Sequence, residues 1–279
     1  MTQKKNKIFS GAYVALLMLF LYLPILVLIV FSFNSSKGYS WTGFSFKWYV
    51  DLFSNELILN SLKNTLIVAF ISSIFATVIG ASAAIGVFSM QNKFAKNTIK
   101  SVTNLPLLMP EIVTGISMML LFITVGSLIN ANILGFGTIL IAHITFSLPY
   151  VILSVMPKLK QLDPNLSEAA LDLGCTPLQA FWKVELPAIL PGIFSGMIMA
   201  FTLSLDDFVI SYFTTGASFK TFPTYIYSLV KKPFKPNIYA LSSIMTVAIL
   251  ILLIISNIVS SKDSSAKPQK AKPAKGGKA

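Results

Sequence analysis

Polar positions along this chain gather in short clusters, separated by long runs of Leu, Ile, Val, Phe, Ala and Met that carry few charges. A run of about 18 residues or more, rising about 1.5 Å per residue as a helix, crosses a hydrocarbon core of roughly 30 Å. Roughly six runs pass that test, near 8–33, 64–90, 102–126, 136–157, 188–210 and 238–260. Helices satisfy their own backbone hydrogen bonds within one segment, so runs of this length predict an all-α, polytopic membrane protein with six transmembrane helices. Composition agrees. The chain is 54% hydrophobic and 11% charged, where a soluble domain carries about a quarter charged residues.

The charge that remains is strongly basic, formally +12, and all 22 basic residues are lysine. Nucleic acid is excluded as a partner because these lysines flank apolar spans and fill one tail, with no aromatic interleaving on a polar face. Their placement reads as topology. Lys4, Lys5 and Lys7 precede the first span, and Lys93, Lys96 and Lys100 lie between the second and third, which puts both segments and both termini on the cytoplasmic side. Lys220, Lys231, Lys232 and Lys235 run against this, since they fall in the expected outer loop between spans five and six. The apolar stretch after "MTQKKNK" exceeds a signal-peptide core and lacks a small-x-small cleavage site, so it is expected to stay as an uncleaved span. The resulting division is a transmembrane domain over 1–261 and, over 262–279, a Lys-, Pro-, Ala- and Gly-rich cytoplasmic tail that buries too little to order itself. The first outer loop carries Tyr39, Trp41, Trp48 and Tyr49 among polar residues, the composition of an interfacial anchor.

Bond-making chemistry has few instruments here. One cysteine and one histidine provide no disulfide framework, zinc cluster or Cys–His pair, and no G-x-x-x-x-G-K-[ST] run is present to hold a nucleotide. His143, within span four, reads as a hydrogen-bonded structural residue, and Cys175 as a small filler.

One stretch breaks the apolar pattern on the cytoplasmic side: "SEAALDLGCTPLQAFWKVELP", residues 167–187, within a loop running from 158 to 187. Asp163 before Pro164 is a helix start, because the carboxylate accepts orphan amides and proline fits the first helical position. Leu166, Ala169, Ala170 and Leu173 then recur at helical spacing as a narrow apolar stripe. Gly174 ends that helix, and Thr176 with Gln179 forms a capping box for the next. Two short helices meeting at a corner, with a flat alanine face, invite docking of another protein.

Glu168-Ala169-Ala170, then Gly174, Val184 and Leu186-Pro187, resemble the EAA motif of permease subunits in bacterial ABC importers, with valine where isoleucine is usual. The resemblance covers nearly the whole chain except the tail and is nearest to the second permease subunit of spermidine/putrescine importers, through "YLPILVLIVFSFNSS", "GFSFKWYVDLF", "HITFSLPYVILSV" and "FTLSLDDFVISYFTTG". It implies a type I ABC importer permease fold in the bacterial inner membrane, with Glu168, Ala169, Ala170, Gly174, Leu186 and Pro187 forming a coupling element seated on a separate ATPase. It further implies a second permease subunit, two ATPase subunits that bind ATP and Mg in place of this chain, and an extracytoplasmic substrate-binding protein, all within membrane lipid. No cofactor is implied for the chain itself. Relatives for iron, thiamine or phosphonate share the coupling loop, so it does not name the solute. An ion-coupled secondary carrier is the rival from another class, and it leaves that loop unexplained.

Intramembrane acids speak to the solute. Glu111 lies about nine residues into the expected third span, where a charged group costs roughly 2.5–3.5 kcal/mol and so should face a path or a partner. Asp206 and Asp207 follow the apolar part of span five, and adjacent residues cannot share one helix face. Acids at two depths attract cations, which favours polyamines over anions. The expected path residues are Glu111, Asp206 and Asp207, with Tyr212 and Tyr225 offering cation–π faces.

Overall fold

The computed structural model describes residues 2–36, 40–217, 219–229 and 236–264, and among these it contains helices but no strand beyond one isolated bridge between Asn34 and Phe44. The tail residues 265–279 and the loop lysines Lys231, Lys232 and Lys235 lie outside the described residues, as does Tyr39. In chain order the helices are α1 (Thr2–Phe31), α2 (Lys47–Phe53), α3 (Glu56–Ser89), α4 (Lys93–Leu108), α5 (Glu111–Leu128), α6 (Phe136–Gln161), α7 (Pro164–Asp172) and α8 (Pro177–Ala180). A π-helical turn (Phe181–Glu185) leads into α9 (Leu186–Asp206), followed by α10 (Val209–Thr214), α11 (Phe222–Leu229) and α12 (Pro236–Ser264). Five helical stretches among the described residues are long and apolar enough to cross a membrane, and Tyr239–Ile255 of α12 adds a shorter apolar one at the sixth expected position.

Two expected spans are interrupted. The third, 102–126, divides into α4 and α5 because Met109 is extended (φ −85°, ψ 141°), the conformation forced on a residue that precedes proline. Glu111 therefore stands in the first turn of α5 and is exposed, rather than nine residues deep in a continuous helix. Pro106, by contrast, is carried inside α4 without ending it. The fifth span stops at Asp206, and helix resumes only at Val209.

The described chain forms two compact units, one of Met1–Phe70, Glu111–His143 and Ser204–Ile251, the other of Ile71–Pro110, Ile144–Leu203 and Leu252–Ala279. The first has a core of Leu52, Ile58, Phe222 and Leu241. Its segment between α1 and α2 is tied by hydrogen bonds: the Trp48 indole, 3% exposed, donates to the Asn34 carbonyl at 2.5 Å, and Ser32 and Tyr49 hydroxyls meet at 2.8 Å. Trp48 thus packs inside, whereas Trp41 remains half exposed, as an interfacial residue would.

The second unit is organised around α6. Val151 is fully buried and sits against Gly80 of α3 and Gly196 of α9, where a Cβ would lie 2.8 Å from the Val151 Cβ and 3.3 Å from its Cα, respectively. Small residues let helix backbones approach closely, which is the main packing device where lipid is as apolar as the helix surface. Val155, Met156, Leu159 and Ile189 extend this core toward the loop after α6, and Leu186 packs on its edge.

Candidate functional site

Two places in the fold carry functional groups: the corner that follows α6, in the second unit, and an acid-lined cavity in the first.

The corner is built by local capping. Asp163 accepts the Asn165 amide at 3.0 Å, with Pro164 opening α7. Gly174 (φ +86°) then takes the left-handed conformation that a residue with a Cβ adopts only at a cost. Its amide bonds the Leu171 carbonyl at 2.9 Å while the Cys175 amide bonds Ala170 at 3.0 Å, the paired closure that lets the chain reverse out of a helix. Thr176 and Gln179 form the full capping box, with bonds of 3.3 and 3.0 Å, that starts α8. Beyond it the π turn carries Glu185, whose carboxylate accepts the Ser167 hydroxyl and so ties α7 to the root of α9.

This geometry sorts the expected coupling residues. Ala170 is buried at 7% exposure and Leu186 is partly buried against the core, so both anchor the corner inward. Glu168, Ala169, Gly174 and Pro187 are exposed. The outer surface is less an alanine plane than a set of large apolar groups: Leu173 is 86% exposed, and Leu178 and Trp182 are also bare. Leu178, Trp182 and the Ser167–Glu185 bond were not foreseen from sequence, although apolar side chains of that size in a polar loop are themselves a signal of a partner surface.

In the first unit the two adjacent aspartates have separate surroundings. Asp207 is buried, at 9% exposure, and its carboxylate is fully engaged: it accepts the amides of Ile210 at 3.2 Å and Ser211 at 2.7 Å, and pairs with His143 Nε2 at 3.3 Å. His143 Nδ1 meets Ser204 Oγ at 2.5 Å and Nε2 lies 3.1 Å from Ser211 Oγ. Histidine is hydrogen-bonded within the bundle, as expected, but its partner is one of the expected path acids. Asp206 is exposed and lines a cavity of about 400 Å³ together with Phe208, Phe222, Tyr227 and Thr246. Glu111, exposed in the first turn of α5, belongs to the same unit but does not line this cavity.

The expected tyrosines separate too. Tyr212 is half exposed and lines a second cavity of about 330 Å³ with Lys220 and Tyr227. Tyr225 packs against the core of Leu52 and Leu241 and lines neither cavity. The aromatic group shared by both cavities is Tyr227, whose ring centroid is 4.7 Å from Phe208 and 5.5 Å from Tyr212. Such an arrangement can hold an ammonium group by charge and by ring faces, with an apolar wall for a methylene chain. Among the described residues no group of three or more His, Cys, Asp or Glu side chains is placed to hold a metal ion.

The family described as binding-protein-dependent transport system inner membrane component matches residues 76–261. The spermidine/putrescine transport system permease protein PotC of Haemophilus influenzae is 35% identical over 255 residues, covering 91% of this chain and 97% of that protein. The putrescine transport system permease protein PotI of Escherichia coli is 37% identical over 232 residues, covering 82% and 83%. Among solved structures, a chain of a bacterial ABC transporter involved in import of the acidic polysaccharide alginate aligns with a TM-score of 0.67 at 15% identity, over 95% of this chain and 98% of that one. A chain of the MetNI methionine ABC transporter aligns with a TM-score of 0.56 at 17% identity, over 75% and 93%. At those identities the structural likeness speaks to the fold alone.

Proposed function

We propose, from the premise that this chain belongs to the binding-protein-dependent transport system inner membrane component family, that it is the membrane-spanning permease subunit of an ATP-driven importer of polyamines. Its relatives named for spermidine and putrescine transport are 35% to 37% identical over most of the chain. It is a multi-pass membrane protein and not an enzyme; ATP and Mg are bound by a partner ATPase.

The assembly consists of this chain, a second permease subunit, two ATPase subunits and an extracytoplasmic binding protein that delivers the solute. Both termini and the corner at 163–186 face the cytoplasm, where the exposed Leu173, Leu178 and Trp182 meet the ATPase together with Glu168 and Ala169. Closure of the ATPase pair on nucleotide pushes on α7, and the capped, hydrogen-bonded corner passes that push into α9. Alternating access then follows from rigid-body motion of the spans.

One observation carries the substrate reading: an exposed carboxylate, Asp206, stands beside Phe208 and Tyr227 in a cavity whose wall is mostly apolar. A polyamine offers ammonium groups to the acid and rings, and methylenes to the wall. Glu111, exposed in the first turn of α5, adds a second acid to the same unit. An anionic solute would be repelled from both. The test is uptake of radiolabelled putrescine and spermidine by cells carrying the complete importer, with Asp206→Asn and Glu111→Gln. Loss of uptake in Asp206→Asn, at unchanged abundance of the complex, is expected. Unchanged uptake in both variants would refute the acidic path.

A further inference from the structure

The adjacent aspartates of the α9–α10 junction raise a question that the transport reading leaves open: why one carboxylate is exposed and its neighbour is buried. At the junction the helix stops after Asp206 and restarts at Val209. A restarted helix presents amides that have no partner within it, and these need an acceptor. Asp207 supplies it, through Ile210 and Ser211. A carboxylate this deeply buried is tolerated only when paired, since an unpartnered buried charge is among the costliest defects a fold can contain. His143 provides the pairing and also grips Ser204, on the last part of α9, and Ser211, on α10. One imidazole on α6 therefore touches the helix before the break, the acid at the break and the helix after it.

We infer that His143 is a positioning residue of the translocation path, which acts by holding the Asp207 carboxylate as the cap of α10 and thereby fixes the break that turns Asp206 and Phe208 into the cavity. The inference rests on the reading of Asp206 as the ammonium contact. Asp207 takes no part in substrate contact. Its carboxylate is engaged by two amides and the histidine, and it lines neither cavity. The acid doublet is thus one contact and one fastener, and the histidine works on the contact through the fastener.

The chemistry of the cap makes this separable from a general loss of folding. An asparagine at 207 keeps one acceptor oxygen, enough for one of the two amides, and removes the charge that requires His143. His143→Ala alone should leave a buried carboxylate unpaired and free the junction, while His143→Ala with Asp207→Asn should relieve it. His143→Gln, which retains a polar group near the serines and acid, should be milder than His143→Ala.

The experiment measures uptake of radiolabelled putrescine and of spermidine at saturating binding protein, in cells expressing the complete importer, with each rate divided by the amount of assembled complex in the membrane. The informative quantity is the spermidine-to-putrescine ratio. A smaller number of folded complexes lowers both rates in step, whereas a displaced Asp206 changes how the site discriminates between a diamine and a triamine. In His143→Ala the ratio should move by about twofold or more, the lower end of the coupling between members of one hydrogen-bonded network, and it should return toward the parental value when Asp207→Asn is added. If His143→Ala fails to assemble, His143→Gln is read in its place by the same criterion. A ratio unchanged in the histidine variants, or a double variant no closer to the parent than the single one, overturns the positioning role. Undiminished uptake in Asp206→Asn instead overturns the substrate contact beneath it, whatever the histidine variants do.

Discussion

Substituting Gly80 by alanine tests the packing that supports the coupling corner. A Cβ at position 80 falls 2.8 Å from both the Cβ and the Cγ1 of Val151, about 0.7 Å inside the best carbon–carbon separation. Valine on a helix has one strongly preferred χ1 rotamer, so it cannot turn aside. Its backbone has little room to retreat, because the Gly196 backbone approaches on the other flank closely enough that an added Cβ would lie 3.3 Å from the Val151 Cα. Overpacking of this kind costs about 1–3 kcal/mol. Alanine also gains about 1 kcal/mol over glycine inside a helix, which partly masks the clash. Gly86 of the same helix supplies the correction, for a Cβ there meets nothing within 4 Å and only the helix-propensity gain should register. The expected result is a melting temperature for Gly80→Ala about 2–12 °C below that of Gly86→Ala, with 1 kcal/mol taken as about 2–4 °C in a chain of this size. Scanning fluorimetry of the purified complex at fixed concentration reads it directly. Adding Val151→Ala to Gly80→Ala should recover part of the loss. Equal melting temperatures for the two glycine variants would mean that α3 and α6 do not meet at Val151 as described.

Two further outcomes follow from contacts already given. Leu173→Asp places a charge on the most exposed apolar side chain of the corner, 86% open, and should lower recovery of the ATPase on the purified permease by about tenfold or more, as loss of an interface anchor does; recovery equal to the parent's would remove Leu173 from the docking surface. Trp48→Phe keeps an aromatic ring but takes away the donor to the Asn34 carbonyl, and loss of one intramolecular hydrogen bond should cost about 0.5–1.5 kcal/mol of stability. A thermal shift indistinguishable from zero would show that the segment between α1 and α2 does not depend on that bond.

What could be read from sequence was what depends on near neighbours. The corner was legible residue by residue, because Asp163 before Pro164, Gly174, and Thr176 three before Gln179 act within one turn of themselves, and the structure uses each as a cap. The break at Met109 was also written locally, in Pro110, yet the apolar run across 102–126 outweighed it in the reading of span three. That Asp206 and Asp207 would differ was legible, since neighbours cannot share a helix face, but which of them would be buried was not. That choice depends on His143, which reaches the junction from another helix, and a doublet of identical letters carries no mark of which member it will meet. Tyr225 and Tyr227 are a similar case: two residues apart on α11, they face a core and a cavity respectively, and only packing decides between them. The exposed Leu178 and Trp182 were hidden by the alanines beside them, whose pattern is familiar, although the larger side chains offer more surface to grip.

The π turn at Phe181–Glu185 bears on how this chain should be set beside its relatives. Such a turn holds one residue more than the α-helix around it, and each added residue rotates everything downstream by about 100°. Residues on either side of it therefore keep separate angular phases. A homologue one residue shorter at this spot can present the same side chains inward along α9, provided the gap is opened within the wide turn and nowhere else. Placed elsewhere, the gap would swap lining for lipid-facing positions on paper, while the proteins themselves agreed.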